Sequence, residues 1–326
     1  MADGFNMELR GQQEWSWLVA LDLFLGGLGG GLFLLYLNFD LPLFVALLSL
    51  GLVALGGGVL LSELGQPGRA WRAIVRLRTS WISRGVLFVS LFLVTGSLYI
   101  VSTVPAFSWL PWAGDNLAAK ILGLVAGSCA LLITLYPGFV LAASPAIPFW
   151  NTRLLPALFF AHSTLGACGL LLLISSFGSF ERSLSQIESL AASLIFANFI
   201  LILIYLLTMI RLSAASEEAV RLLNHGSLGW TFGIGVYVVG MILPFLLVVW
   251  FPSAMAPAGA FILLGGLLFR YCVLKAGVYV PFALVGMDMS RLNRTDADLA
   301  REYAAMKAPL LAREDAGRKL GHPQES

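Results

Sequence analysis

Asp22, Glu63, Tyr136, His162 and Arg270 are ionisable residues set within, or at the edge of, long apolar stretches of a 326-residue chain. Removing such groups from water is expensive, so each is a functional candidate unless a neighbour satisfies it. An acid, a phenol and an imidazole sharing one pocket would suit general acid–base chemistry, with protons passed to and from a bound molecule. Each residue also has a plainer reading. Asp22 can pair with a basic neighbour, Tyr136 can be an ordinary helix-end aromatic, and His162, followed by Ser163 and Thr164, can be an interhelical hydrogen-bond partner. Arg270, in "FRYCVLKAG", is the most costly charge of all and calls for a buried carboxylate or water, serving either structure or a proton path.

Other chemistries find little support. Cys129, Cys168 and Cys272 are far apart, without the clustered thiolates of an iron–sulfur site, and read as small buried helix residues. Of three histidines only His162 stands clearly inside an apolar run, so the protein is expected to carry no haem. No Walker motif, metal-ligand cluster, nucleophile triad or nucleic-acid signature is present. "GGLGGG" (26–31) follows no strand, so it is no dinucleotide loop. Gly26/Gly30 and Gly27/Gly31 instead have the small-xxx-small spacing that lets membrane helices touch.

The elements that must hold these residues are membrane helices. Hydrophobic residues make up 59% of the sequence, charged residues 12%, and the mean hydropathy is +0.87. A soluble domain carries roughly 25% charged residues, so this is an integral membrane protein. Eight runs are long enough to span, near 16–37, 41–62, 85–104, 118–143, 154–176, 189–210, 229–251 and 258–282. Their length and lack of two-residue alternation exclude a β-barrel reading. The expected fold is all-α, with eight transmembrane helices in two four-helix bundles, 1–143 and 144–283. A charged tail, 284–326, follows, with a short helix near 296–313 opened by Thr295 and Asp298. Asp22 and His162 fall about two turns into their helices, and Tyr136 about two turns from the end of its own. That places all three roughly 10 Å below one interface.

Positive charge marks that interface. An even number of spans puts both ends of the protein on one side, with the links 63–84, 144–153 and 211–228. That side holds Arg69, Arg72, Arg76, Arg78 and Arg84, a quarter of all lysine and arginine within one connection. The opposite links offer Arg182 and Lys120, together with Trp109, Trp112 and Trp250, which suit an interfacial aromatic belt. The positive-inside rule turns the arginine-rich face to the cytoplasm.

Several separated stretches carry a resemblance. "EWSWLVALDLFLGGLGGGLFLL" (14–35), "LGQPGRAW" (64–71), "SWISRG" (80–85), "YPGFVLAASPAIPFWN" (136–151) and "RYCVLKAG" (270–277) resemble, in order, the membrane subunits of the NrfD-like polysulfide-reductase family. The resemblance implies an eight-helix subunit without haem or iron–sulfur cluster of its own. Such a subunit exchanges electrons between membrane ubiquinone or menaquinone and a ferredoxin-like iron–sulfur partner, commonly beside a molybdopterin catalytic subunit. Tyr136 matches the family tyrosine that bonds the quinone carbonyl. Asp22 stands where a polar residue, often histidine, faces the quinone, and Glu63 at the acidic position before "LGxP".

The quinone pocket expected from this has Trp17, Asp22, Tyr136 and His162 around it, His162 from its depth alone. Asp22, Glu63 and Tyr136 are its chemical groups. Arg69, Arg72, Arg76 and Arg78 form a platform for the iron–sulfur subunit, the plainer role for them being topology and lipid phosphate contacts. Many family members carry their catalytic modules outside, whereas the arginine pattern puts this platform on the cytoplasmic face of a bacterial inner membrane, which resembles the sulfite-oxidising branch. The resemblance implies a sulfur compound, sulfite, polysulfide or thiosulfate, as the substrate. Two rivals stand beside this reading. In one, Asp22, Glu63, His162 and Arg270 form a relay in a proton-translocating or transporter-type bundle, against which stands the lack of a clear internal repeat. In the other, the protein only anchors catalytic subunits.

Overall fold

A computed structural model describes residues 9–63, 78, 80–175 and 181–280. The tail 284–326, with its expected helix, and Arg69, Arg72 and Arg76 lie outside the described residues. Residues Gly11–Tyr279 form one compact unit.

Nine α-helices are described: α1 (Trp17–Asn38), α2 (Leu43–Glu63), α3 (Trp81–Thr103), α4 (Leu117–Ala142), α5 (Leu154–Ile174), α6 (Glu181–Ile210), α7 (Ala214–Asn224), α8 (Leu243–Trp250) and α9 (Met255–Lys275). Between α7 and α8, Thr231–Ile242 winds more loosely as a π-helix and continues directly into α8. Taking that stretch and α8 as one span, eight helices are long and apolar enough to cross a membrane. The molecule is thus an all-α, multi-pass membrane protein.

Local chemistry sets the helix starts. Ser16 opens α1 by accepting a hydrogen bond from the Leu18 amide at 3.0 Å. Asn116 opens α4 by accepting from the Ala119 amide at 2.9 Å, and Ser80 opens α3 by accepting from Ser83. Each satisfies an amide that the helix itself leaves without a partner.

α1 is the hub. It packs on α2, α4, α5 and α9, and with α5 it is the most buried of the spans, whereas α2 and α3 are the least. Its glycines divide these contacts among them. A Cβ on Gly29 would meet the Ser49 carbonyl of α2 at 2.7 Å. One on Gly30 would meet the Ala130 carbonyl of α4 at 2.8 Å, and one on Gly31 the Ser163 carbonyl of α5 at 2.7 Å. Lipid tails are as apolar as leucine, so membrane helices are held by such close packing and by interhelical hydrogen bonds.

Two departures from the sequence expectation concern polar segments. α6 begins at Glu181 rather than near 189, because its charged first turns extend the helix beyond the apolar window. The link 211–228 contains α7, capped by Ser213, with Ala215, Ala219, Val220 and Leu223 buried along one face. At 11 residues it is too short to span and so leaves no mark in a hydropathy search.

Candidate functional site

A cleft of about 270 Å³ opens at the end of the first four helices where the N-terminal lead enters. The lead contributes Glu14 and Trp15, and α1 contributes Val19, Asp22 and Leu23. Leu60 of α2, Ile82 of α3, and Tyr136 and Val140 of α4 complete the lining. The walls are mostly aliphatic, with three groups able to exchange protons, Glu14, Asp22 and Tyr136. Ile82 is 50% exposed, so the lining reaches the outer surface of α3.

The backbone around the two central groups is closely fitted. Gly56 of α2 lies against Asp22: a Cβ there would stand 3.2 Å from the Asp22 carbonyl and 3.3 Å from Oδ1. Gly85 of α3 lies flat against the Tyr136 ring, where a Cβ would come within 2.9 Å of Cδ2 and nearer still to Cε2 and Cζ. Pro137 has no amide hydrogen to offer the Ile133 carbonyl, which loosens α4 next to the phenol. Gly138 then brings α4 against Leu155 and Pro156 of α5. In "YPG", the three residues thus face α3, break the helical ladder and touch α5 in turn.

Just outside the lining, α3 and α4 are fastened by an aromatic stack. Trp81 lies on Phe139 with ring centroids 5.0 Å apart and planes 8° from parallel. The Arg84 guanidinium sits 4.4 Å from the Trp81 ring centroid, an arrangement favoured by the ring's negative face. Arg84 also donates to the carbonyl of exposed Arg78 at 2.9 Å.

The structure separates some residues that the sequence reading grouped. Asp22 and Tyr136 line the same cleft. Trp17 is 61% exposed and outside the lining; Trp15, two residues earlier, occupies the wall instead. His162 is 3% exposed and lies off the cleft, its ring stacked on Phe269 at 3.8 Å. Glu63 ends α2, three residues beyond Leu60, and its side chain lies outside what is described. Glu14 and Trp15 are lining residues that sequence reasoning missed, although both belong to the "EWSW" that opens the first span.

Arg270 occupies a separate polar centre among α1, α5 and α9. It is 1% exposed; Nη1 donates to the Gly266 carbonyl at 3.1 Å and Nη2 to Ser163 Oγ at 2.8 Å. The guanidinium carbon lies 5.4 Å and 5.6 Å from the Phe24 and Phe159 ring centroids. A hydroxyl, a carbonyl and two aromatic faces therefore hold this charge, with no carboxylate in ion-pair contact among the described residues. Arg270 Nε and His162 Nε2 are buried without a hydrogen-bond partner among those residues. Gly27 leaves the space: a Cβ there would meet Arg270 Nη2 at 2.8 Å.

A larger cavity, about 530 Å³, lies at the opposite end of α1, α3 and α4, where Lys120 and Asp115 pair at 3.0 Å. It contains none of the candidate residues.

The sequence is similar to known proteins. Protein NrfD of Escherichia coli (strain K12) is 28% identical over 308 residues, covering 81% of the present sequence and 94% of that protein. A polysulfide reductase subunit of Wolinella succinogenes is 26% identical over 298 residues, covering 82% of the present sequence and 93% of that subunit. The family described as polysulphide reductase, NrfD, matches residues 6–282, a stretch that contains every described helix and the whole cleft. With the eight spans and the ordered motifs along them, that match establishes that the protein belongs to the NrfD family.

Proposed function

We propose that this protein is the quinone-reactive membrane subunit of a multi-subunit oxidoreductase. The observation that carries the reading is the cleft in which Tyr136 of α4 and Asp22 of α1 share an otherwise aliphatic lining, in a member of the NrfD family. A volume of about 270 Å³ is close to the lower end of small-ligand sites, roughly 300–1,000 Å³. It suits one quinone ring system whose isoprenoid tail stays among lipids, entering past Ile82.

In this reading the Tyr136 hydroxyl donates a hydrogen bond to one quinone oxygen and Asp22 gives or takes a proton at the site. Glu63, at the end of α2, is a second carboxylate for the same protons. The protein binds, orients and handles protons, and the electrons pass to or from an iron–sulfur partner docked on the arginine-rich face. Terminal chemistry belongs to another subunit, a molybdopterin protein acting on a sulfur compound such as sulfite, polysulfide or thiosulfate. The name of one relative, part of a polysulfide reductase, and of the family itself support an oxidoreductase complex. The concentration of arginine at 69–84 supports a bacterial inner-membrane orientation with that face in the cytoplasm.

Tyr136→Phe tests the assignment. Losing one hydrogen bond worth about 1–2 kcal/mol should lower quinone-linked turnover roughly five- to thirtyfold. Dye-linked activity of the soluble subunits should be unchanged. Quinone turnover at the normal rate would remove Tyr136, and with it this reading of the cleft.

A second reading, a proton-translocating bundle, is favoured by a different observation: the buried Arg270–Ser163 pair with His162 nearby on α5. Arg270→Lys keeps the charge but lacks the planar fork that reaches both Ser163 and Gly266. If the centre is structural, this variant lowers thermal stability in detergent and leaves proton movement per turnover unchanged. If it conducts protons, acidification measured in proteoliposomes falls while turnover continues.

A further inference from the structure

Quinone chemistry moves two protons with its two electrons, so a quinone in this cleft needs a proton exchange route to water. Beyond Asp22 and Tyr136, towards the far ends of α1–α4, lies a packed apolar layer. Phe33, Phe92, Ala126, Ala130 and Ile133 are all buried there, with Phe33 edge-on to Phe92 at 5.0 Å. A proton crossing that layer would have to leave hydrogen-bonding groups behind, at high cost. Towards the near end the lining carries a second carboxylate, Glu14, which is exposed and so reaches the cleft and water together.

The short lead bearing Glu14 is fixed with unusual care for a non-helical segment. The Gln12 amide donates to the Gly277 carbonyl at 2.7 Å. Gln12 Nε2 donates to the buried Leu274 carbonyl at 3.0 Å and to the Trp15 carbonyl at 3.3 Å. The Trp15 amide returns a bond to Gln12 Oε1 at 2.8 Å. The Trp15 ring rests 5.6 Å from Trp150, itself held by Nε1 donating to the Val273 carbonyl at 2.8 Å. Gly277 is required at this junction, since a Cβ there would meet the Trp150 ring at 2.7 Å. Glu14 is therefore anchored from both flanks, and the Tyr279 hydroxyl donates to its Oε2 at 3.4 Å.

We propose that Glu14 is the proton-exchange residue of this cleft, carrying protons between the quinone site and the aqueous phase on the side of the N-terminal lead. The inference rests on the quinone reading above and adds to it both a residue and a direction. In quinol oxidation each O–H bond breaks, and its proton passes to a carboxylate oxygen of Asp22 or Glu14 and from Glu14 to water. The two electrons leave, one at a time, to the one-electron iron–sulfur carrier of the partner subunit. Quinone reduction runs the same steps backwards. Among the described residues, Tyr136 and Asp22 across the cleft and Tyr279 beside Glu14 are titratable groups that face this path.

The test uses the purified complex. Glu14→Gln keeps the shape and removes the exchangeable proton. Quinone-linked turnover should fall by about tenfold or more, with KM for quinone and dye-linked activity unchanged. Excess formate, a small acid able to enter the cleft, should restore turnover, and Glu14→Asp should retain most of it. A Glu14→Gln enzyme at the normal rate overturns the proposal, as does one that is slow and indifferent to formate, which marks a structural role. If Tyr136→Phe also turns over quinone normally, the quinone reading itself has failed. If Tyr136→Phe is impaired and Glu14→Gln is not, only the role of Glu14 has failed.

Discussion

Tyr136 owes its position to neighbours that have little or no side chain. Gly85 gives its ring a seat on α3, while Pro137 removes a helical hydrogen bond from α4 beside it and Gly138 brings that helix against α5. A methyl group at residue 85 would push the ring into the cleft. Gly85→Ala is therefore expected to lower quinone-linked turnover about tenfold, with dye-linked activity retained. Overpacking of this kind costs about 1–3 kcal/mol where the neighbours cannot relax. Gly58→Ala, where nothing lies within 4 Å, is the control and should behave normally. At this scale the sequence showed Asp22 and Tyr136, because an ionisable group inside an apolar run contradicts its surroundings. Glu14 gave no such contrast, for a carboxylate in a polar lead is ordinary. Trp15 and Trp17 could not be told apart until the cap at Ser16 fixed where the helix begins and which side each ring takes.

Among the elements, one close crossing joins α9 to the π-helical stretch Thr231–Ile242. Gly265 and Gly240 meet there, and a Cβ on Gly240 would lie 2.7 Å from the Gly265 Cα. Gly240→Leu should force the two helices apart and destabilise the protein by about 1–3 kcal/mol, seen as a lower melting temperature in detergent. Gly233→Leu, on the same stretch but facing open space, should melt like the parent protein. The number and type of spans were legible in the sequence because a run of about 20 apolar residues has few alternatives in lipid. The π-helical winding was not, since i→i+4 and i→i+5 bonding draw on the same residues and the choice lies in contacts with neighbours. The short helix α7 was equally hidden: its amphipathic face acquires meaning only once the spans it covers are in place.

On the scale of the whole molecule, the cleft and the Arg270 centre are two separate polar regions that share α1. Their separation decides what each can do: the cleft touches water and the outer face of α3, while Arg270 and His162 are closed off among α1, α5 and α9. The amino-acid sequence alone determined the eight spans and carries the stretches "LGQPGRAW", "YPGFVLAASPAIPFWN" and "RYCVLKAG" on which the family resemblance was read. These are properties of single segments, fixed by the high cost of placing polar backbone or charge in hydrocarbon. Only the tertiary structure decided which polar residues share a space. It brought Glu14 to Asp22 and Tyr136, turned Trp17 outward, and gave Arg270 to Ser163 rather than to an acid. Depth in the membrane can be counted along a helix, but the facing of a side chain depends on helix rotation. Here that rotation is set by where glycines let neighbouring backbones meet.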